Sequence, residues 1–151
     1  MKRYNKIIFI GDSGTSRSPM AEAIMKEYRL KYPMEIENRA LISLFPEPLN
    51  QKAEAVLISN GITIENHMSR QLAEEDFAED TLMIVLEEAQ RERILEGYQN
   101  AREEDVQVLT KIIGEELEIF NPYGGNLQAY GLCYETLNNS IKKLVDKLNE
   151  D

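Results

Sequence analysis

This 151-residue chain holds one cysteine and one histidine, so it is short of the two side chains most used for nucleophilic and metal chemistry. A lone Cys133 excludes an intramolecular disulfide and a cysteine-rich metal site. It suits a reducing compartment, so a cytoplasmic protein without metal or cofactor is expected. A lone His67 leaves no material for a multi-histidine metal site and little for a Ser-His pair. There is no long apolar run and no cleavable apolar N-terminal segment, so neither a membrane span nor secretion is expected. Bases are also scarce: 17 Lys and Arg stand against 27 Asp and Glu, for a net charge of −10. A surface of that sign repels nucleic acid and anionic membranes, and repels phosphorylated ligands at long range. Any phosphate site must then be built locally, from backbone N–H groups and an arginine.

The chain offers such a place near its start. Ile7–Ile10 is an apolar run bounded by turn residues, which reads as a buried parallel strand. Gly11-Asp12-Ser13-Gly14-Thr15-Ser16 follows, then Arg17, then Ser18-Pro19 as a helix N-cap and first turn. The helix is predicted over about 19–32, with Met20, Ile24 and Tyr28 or Met25 inward. Further predicted elements are a strand at 35–40, a helix at 49–60 stopped by Asn60-Gly61, and a short acidic helix at 73–78. A strand at 81–86, a helix at 87–98 and a strand at 106–109 come next. Last is a long helix at about 126–149, whose stripe runs Leu127, Tyr130, Tyr134, Leu137, Ile141, Leu144 and Leu148. No repeat or linker interrupts the chain, and its length suits one domain over residues 1–151. Alternating strands and helices predict an α/β fold with a parallel sheet. Ligands of such sheets sit beyond the C-terminal strand ends, which is where the 11–18 loop lies.

The loop has the makings of an anion cradle. Small residues let a backbone curl so that successive N–H groups face inward, and Gly14 can take a positive φ. The helix start adds its positive dipole end, and Arg17 can bond two phosphate oxygens at once. The phosphate-binding set is therefore Asp12, Ser13, Gly14, Thr15, Ser16, Arg17 and Ser18.

Two resemblances meet in this stretch. FIGDSGT resembles the GDS opening of the SGNH hydrolases, which would make Ser13 a nucleophile. That family's C-terminal histidine is missing: no histidine follows Asn121, and His67 lies mid-chain without the aspartate spacing. A serine without an adjacent base is a poor nucleophile, so this reading fails. GDSGTSRSPMAEAI instead resembles the phosphate loop of the low-molecular-weight protein tyrosine phosphatases, C-x-G-N-x-C-R-S-P-x-A-E-A. ENHMSRQL (65–72), DTLMIVLEEAQRERI (80–94) and NPYGGNLQAYGLCYETLNNSIKKLVDKL (121–148) extend the likeness over nearly the whole chain. Thr15, Gly124 and Gly125 lean to the bacterial branch that includes protein-arginine phosphatases. The fold so implied is one domain with a four-stranded parallel sheet and helices on both faces.

The resemblance also shows what is missing. The family's nucleophilic cysteine falls on Gly11, its second loop cysteine on Ser16, and its general-acid aspartate on Asn121. Arg17 keeps the position of the phosphate clamp. Glycine cannot form a phosphoenzyme and an amide has no proton to give. Loss of a general acid costs about 10² to 10⁴ in rate, and loss of a covalent nucleophile on the order of 10⁶. Cys133, inside the last helix, reads as a packed thiol of ordinary pKa. The expectation is a pseudophosphatase that binds phosphate or a phosphorylated protein side chain, or regulates a protein partner. Phosphoarginine is the suggested ligand, because Asp12 could pair with a guanidinium. The alternatives are an active phosphatase, of phosphotyrosine or phosphoarginine, using Asp12 or Ser13, and an interaction protein with no ligand. Asp12, Phe45 and Tyr123 are candidates for the pocket lip. His67 reads as a hydrogen-bonded structural residue, and the acidic run 74–80 as a solvated helix and turn.

Overall fold

The computed structural model describes residues 1–150. Four parallel strands, β1 (Lys6–Gly11), β2 (Glu35–Ala40), β3 (Thr81–Val85) and β4 (Val106–Val108), lie in the order β2-β1-β3-β4. Ile7 pairs with Ile36 on one side and with Leu82 on the other, and Met83 pairs with Val106. The helices are α1 (Arg17–Lys26), α2 (Gln51–Ser59), α3 (Glu88–Gly97), α4 (Leu109–Ile112) and α5 (Leu127–Asn149). No described helix is long and apolar enough to cross a membrane.

The alternation of the central strands divides the core. Ile7, Phe9, Leu82 and Ile84 face α1, α2 and α5, in a cluster that includes Met20, Ile24, Leu57, Tyr130, Leu137 and Leu144. Ile8, Ile10, Met83 and Val85 face the other way, with Ile94 of α3, Val106 and Leu72. Ile7 through Ile10 are wholly buried. Full burial of one such side chain is worth about 1.5–3 kcal/mol, so β1 is fixed firmly up to the residue where the loop begins. Helices therefore cover both faces, as the sequence predicts.

Several boundaries differ from the sequence reading. Helix α1 begins at Arg17, not after Ser18, because the Met20 N–H already reaches the Ser16 carbonyl. Ser18 is thus a first-turn residue rather than the cap. Pro19 still fits, because first-turn N–H groups have no intrahelical acceptor to lose. The helix ends at Lys26 instead of about 32, since the chain must turn back to put Glu35 beside Lys6. The stripe on α5 starts at Tyr130. Leu127, at the first position of α5, is 53 % exposed. The acidic helix at 73–78 is a single 3₁₀ turn, Glu74–Asp76, and Leu109 opens α4 rather than ending a strand.

Strand β1 is flanked by β2 on one side and β3 on the other, so successive connections leave in opposite directions. A crevice opens at that switch point, beyond the C-terminal ends of β1 and β3. The 12–16 loop follows β1 there, and Glu87, after β3, pairs with Arg17 at the loop's end.

Candidate anion-binding site

The 12–18 loop is held from behind through its carbonyls. Those of Gly11 and Asp12 accept from the N–H groups of Leu41 and Ile42, at 2.8 and 3.1 Å. Those of Thr15 and Ser16 accept from Asn50 and Met20. The Gly14 carbonyl lies 2.7 Å from His67 Nε2. A carbonyl can only accept, so Nε2 carries the proton, and His67 has the structural part expected of it. Gly14 takes φ +70°, and a Cβ there would press on Ala40 Cβ at 3.0 Å. With the carbonyls turned outward, no N–H of residues 12–18 donates to another described residue. That is the arrangement of an anion nest capped by a helix start.

These groups line a cavity of about 390 Å³ bounded by residues 11–18, Glu47, Asn121 and Tyr123. The structure thus brings together the whole predicted phosphate-binding set, Gly11, Asn121 and one of the lip aromatics. Tyr123 stands 81 % exposed at the mouth. Phe45 does not line the cavity, and its exposed ring lies in the 41–50 loop. Glu47, two residues on, takes a place at the cavity instead. Asn121 Oδ1 accepts from the Tyr123 N–H at 3.1 Å, so its carbonyl oxygen is spent on its own turn. The Gly125 carbonyl accepts from Lys52 Nζ, which ties this turn to α2.

Arg17 is buried beneath the loop. Nη1 donates to the Ile119 carbonyl at 2.7 Å. Nη2 donates to Glu87 Oε2 at 2.5 Å and to Asp12 Oδ2 at 3.3 Å. Asp12 is half exposed and folded toward the site, where its Oδ1 accepts from Gln90 Nε2 at 2.9 Å. Gln90 is held in turn, its Oε1 accepting from the N–H groups of Leu86 and Glu87. The guanidinium therefore carries two carboxylates already. Glu47, Glu87 and Gln90 escape a motif reading, because their chain segments meet the loop only in the fold. The switch-point rule does single out the residues after β3, and Glu87 is one of them.

The floor of the cavity is Gly11, without a side chain at the end of β1. Ser18 lies against it, wholly buried, and its Oγ has no hydrogen-bond partner. Ser13 Oγ and Thr15 Oγ1 pair with each other at 2.8 Å. The one thiol, Cys133, is buried on α5 with Sγ 3.8 Å from the Phe120 carbonyl. It is packed as expected, but its pKa is not ordinary. Burial pushes it up to about 11, against a lowering pull from Arg17. A thiol of that kind is protonated and unreactive at neutral pH. No group of three or more His, Cys, Asp or Glu among the described residues is placed to hold a metal ion.

A sequence model of the low molecular weight phosphotyrosine protein phosphatases matches residues 6–151. The protein-arginine-phosphatase of Geobacillus stearothermophilus is 25 % identical over 146 residues, 97 % of each chain. Its solved structure superposes with a TM-score of 0.88, covering 97 % of this chain and 94 % of that one. The low molecular weight protein-tyrosine-phosphatase PtpB of Staphylococcus aureus is 29 % identical over 143 residues, 93 % of this chain and 97 % of its own. Wzb of Vibrio vulnificus, solved with benzylphosphonate, shares the fold at a TM-score of 0.84 and 22 % identity, covering 95 % of this chain and 99 % of that one.

Proposed function

The chain belongs to the low molecular weight phosphotyrosine protein phosphatase family, and on that premise we propose that it is a pseudophosphatase, a phosphoryl-group binder without turnover. The observation that carries this reading is the loop itself: the N–H groups of residues 12–18 donate to no other described residue, the carbonyls of Asp12, Gly14, Thr15 and Ser16 are tied away, and Arg17 lies beneath them. The chemical half of the site is missing. Gly11 offers no nucleophile at the floor, and Asn121 has no proton to donate. Ser13 and Asp12 are no substitutes. Ser13 Oγ bonds only Thr15, with no base beside it. Both Asp12 oxygens are engaged, Oδ1 by Gln90 and Oδ2 by Arg17.

The ligand is phosphate or a phosphorylated protein side chain, met in the cytoplasm. Phosphoarginine suits the site better than phosphotyrosine, because Asp12 and Glu47 put negative charge near the mouth, where a guanidinium would follow the phosphoryl group. The relative from G. stearothermophilus is itself a protein-arginine-phosphatase.

The test has two parts. An aryl phosphate and a phosphoarginine peptide are incubated with the protein, and released phosphate is measured. The same peptide is titrated by calorimetry into wild type and Arg17→Ala. Binding that depends on Arg17, with no release above the blank, is the expected result. Release abolished by Asp12→Asn or Ser13→Ala would refute the reading and restore an enzyme.

A further inference from the structure

The cavity mouth is bordered by side chains that the phosphoryl-binding reading leaves unused. Among the described residues, every exposed large apolar side chain except Met1 and Ile58 lies at 42–45, at Met68 or within 117–132. The first two places form one ledge. Pro48 pairs with Met68 across an isolated bridge, and Ser69 Oγ meets Ser43 Oγ at 2.8 Å and accepts from the Glu47 N–H at 2.9 Å. The ledge is fastened to the cradle, since the Ile42 N–H donates to the Asp12 carbonyl and Glu47 lines the cavity. The 117–132 stretch reaches the cavity through Asn121 and Tyr123, and its Ile119 carbonyl accepts from Arg17. Leu44 is 89 % exposed and Leu117 84 %. Apolar side chains scattered singly need no explanation, but a group gathered beside one cavity marks a surface that another molecule covers.

Charge selects the occupant. The loop N–H groups and Arg17 suit a phosphoryl dianion, while Asp12 and Glu47 put carboxylates at the same cavity. A second copy brought face to face would set those acids against their own counterparts, which opposes association. An anionic membrane is repelled by the same acids and by the net charge of −10. A free phosphate fills the cavity and leaves the apolar surface bare. We infer that Ile42, Leu44, Phe45 and Met68, with Leu117 and Phe120, form a docking surface for a protein partner whose phosphorylated side chain enters the cavity and whose neighbouring residues are apolar. The partner is held at two places, its phosphoryl group in the cradle and its apolar residues beside the mouth. No bond is made or broken. The inference rests on the reading of the 12–18 loop as a phosphoryl cradle, and it names the class of partner that the surroundings of the cradle favour.

The experiment titrates three probes into wild type, Leu44→Ser, Leu117→Ser and Arg17→Ala: inorganic phosphate, a phosphoarginine peptide with leucines beside the modified residue, and the same peptide with serines there. Leu44 and Leu117 stand almost clear of the fold, so both serine variants are expected to melt with wild type. The leucine peptide is expected to bind about tenfold tighter than the serine peptide, the worth of one buried leucine side chain. Leu44→Ser and Leu117→Ser are expected to erase that advantage and leave the affinity for inorganic phosphate unchanged. An advantage lost in Leu44→Ser alone would confirm the ledge and strike Leu117 and Phe120 from the surface. Equal affinity of the two peptides, or an advantage that survives both substitutions, would overturn the inference. Phosphate binding that depends on Arg17, with the two peptides equal, would leave the cradle standing and remove only the docking surface. Failure of wild type to bind any of the three probes would remove both. Self-association of the wild type in sedimentation, abolished by Leu44→Ser, would make a second copy the occupant and also overturn the inference.

Discussion

Asp12→Asn separates competition from support at Arg17. The Asp12 carboxylate sits 3.3 Å from Arg17 Nη2, at the mouth of the cavity that a phosphate dianion would enter. Asparagine keeps an oxygen for Gln90 Nε2, and Glu87 still pairs with Arg17, so the substitution removes one charge and little geometry. A dianion bound beside the guanidinium would lie roughly 6 Å from Asp12. Asp12 is half exposed, so the dielectric of water applies, and the repulsion is about 1.4 kcal/mol, or about tenfold in affinity. At physiological ionic strength about half of that energy survives screening. Calorimetric titration of inorganic phosphate at low and at physiological salt reads both figures. Tighter binding by Asp12→Asn, with a gain that shrinks as salt rises, is the expected result. Unchanged or weaker binding would show that Asp12 serves to hold Arg17 in place, and would refute the charge argument.

Three more expectations follow from the geometry. Gly11→Ala forces a methyl group against Ser18 and should cost about 1–3 kcal/mol in thermal or urea unfolding, with much of the loss recovered in Gly11→Ala/Ser18→Gly; equal stability of wild type and single variant would mean that the floor is roomier than described. His67→Ala strips the Gly14 carbonyl of its donor and should cost about 1–3 kcal/mol while weakening phosphate binding; a change in stability alone would mean that the loop keeps its shape without His67. Cys133, with its pKa raised to about 11, should resist a thiol reagent at pH 8 in the folded protein and react at once in guanidinium chloride, whereas fast native labelling would contradict its burial.

The parts of this molecule legible in the sequence are those set by neighbours along the chain. Ile7–Ile10 announces a buried strand, and the small residues after it announce a tight loop ending in Arg17. Both stand where that reading puts them, and the helices fall on both faces of the sheet. Errors cluster where distant segments decide. The length of α1 is cut by the need to pair Glu35 with Lys6. The exposure of Leu127 depends on where α5 meets α2 and α1. The thiol of Cys133 looks ordinary until its burial is known. Glu47 and Gln90 carry no local signal, because each reaches the site from a segment distant along the chain, and Glu87 is marked only by its place after β3. Phe45, the aromatic singled out in the loop, lies outside the cavity, while Glu47 nearby lines it.

The bonds that shape the loop come from Leu41, Ile42, Asn50 and His67, all outside it, and they grip backbone carbonyls rather than loop side chains. Form and reactivity are thereby assigned to different residues. A substitution at Ser13 or Thr15 leaves those backbone bonds standing, because none of them passes through either side chain. A fold wired in this way sets the path of its loop from outside, independently of what the Ser13 and Thr15 side chains can do.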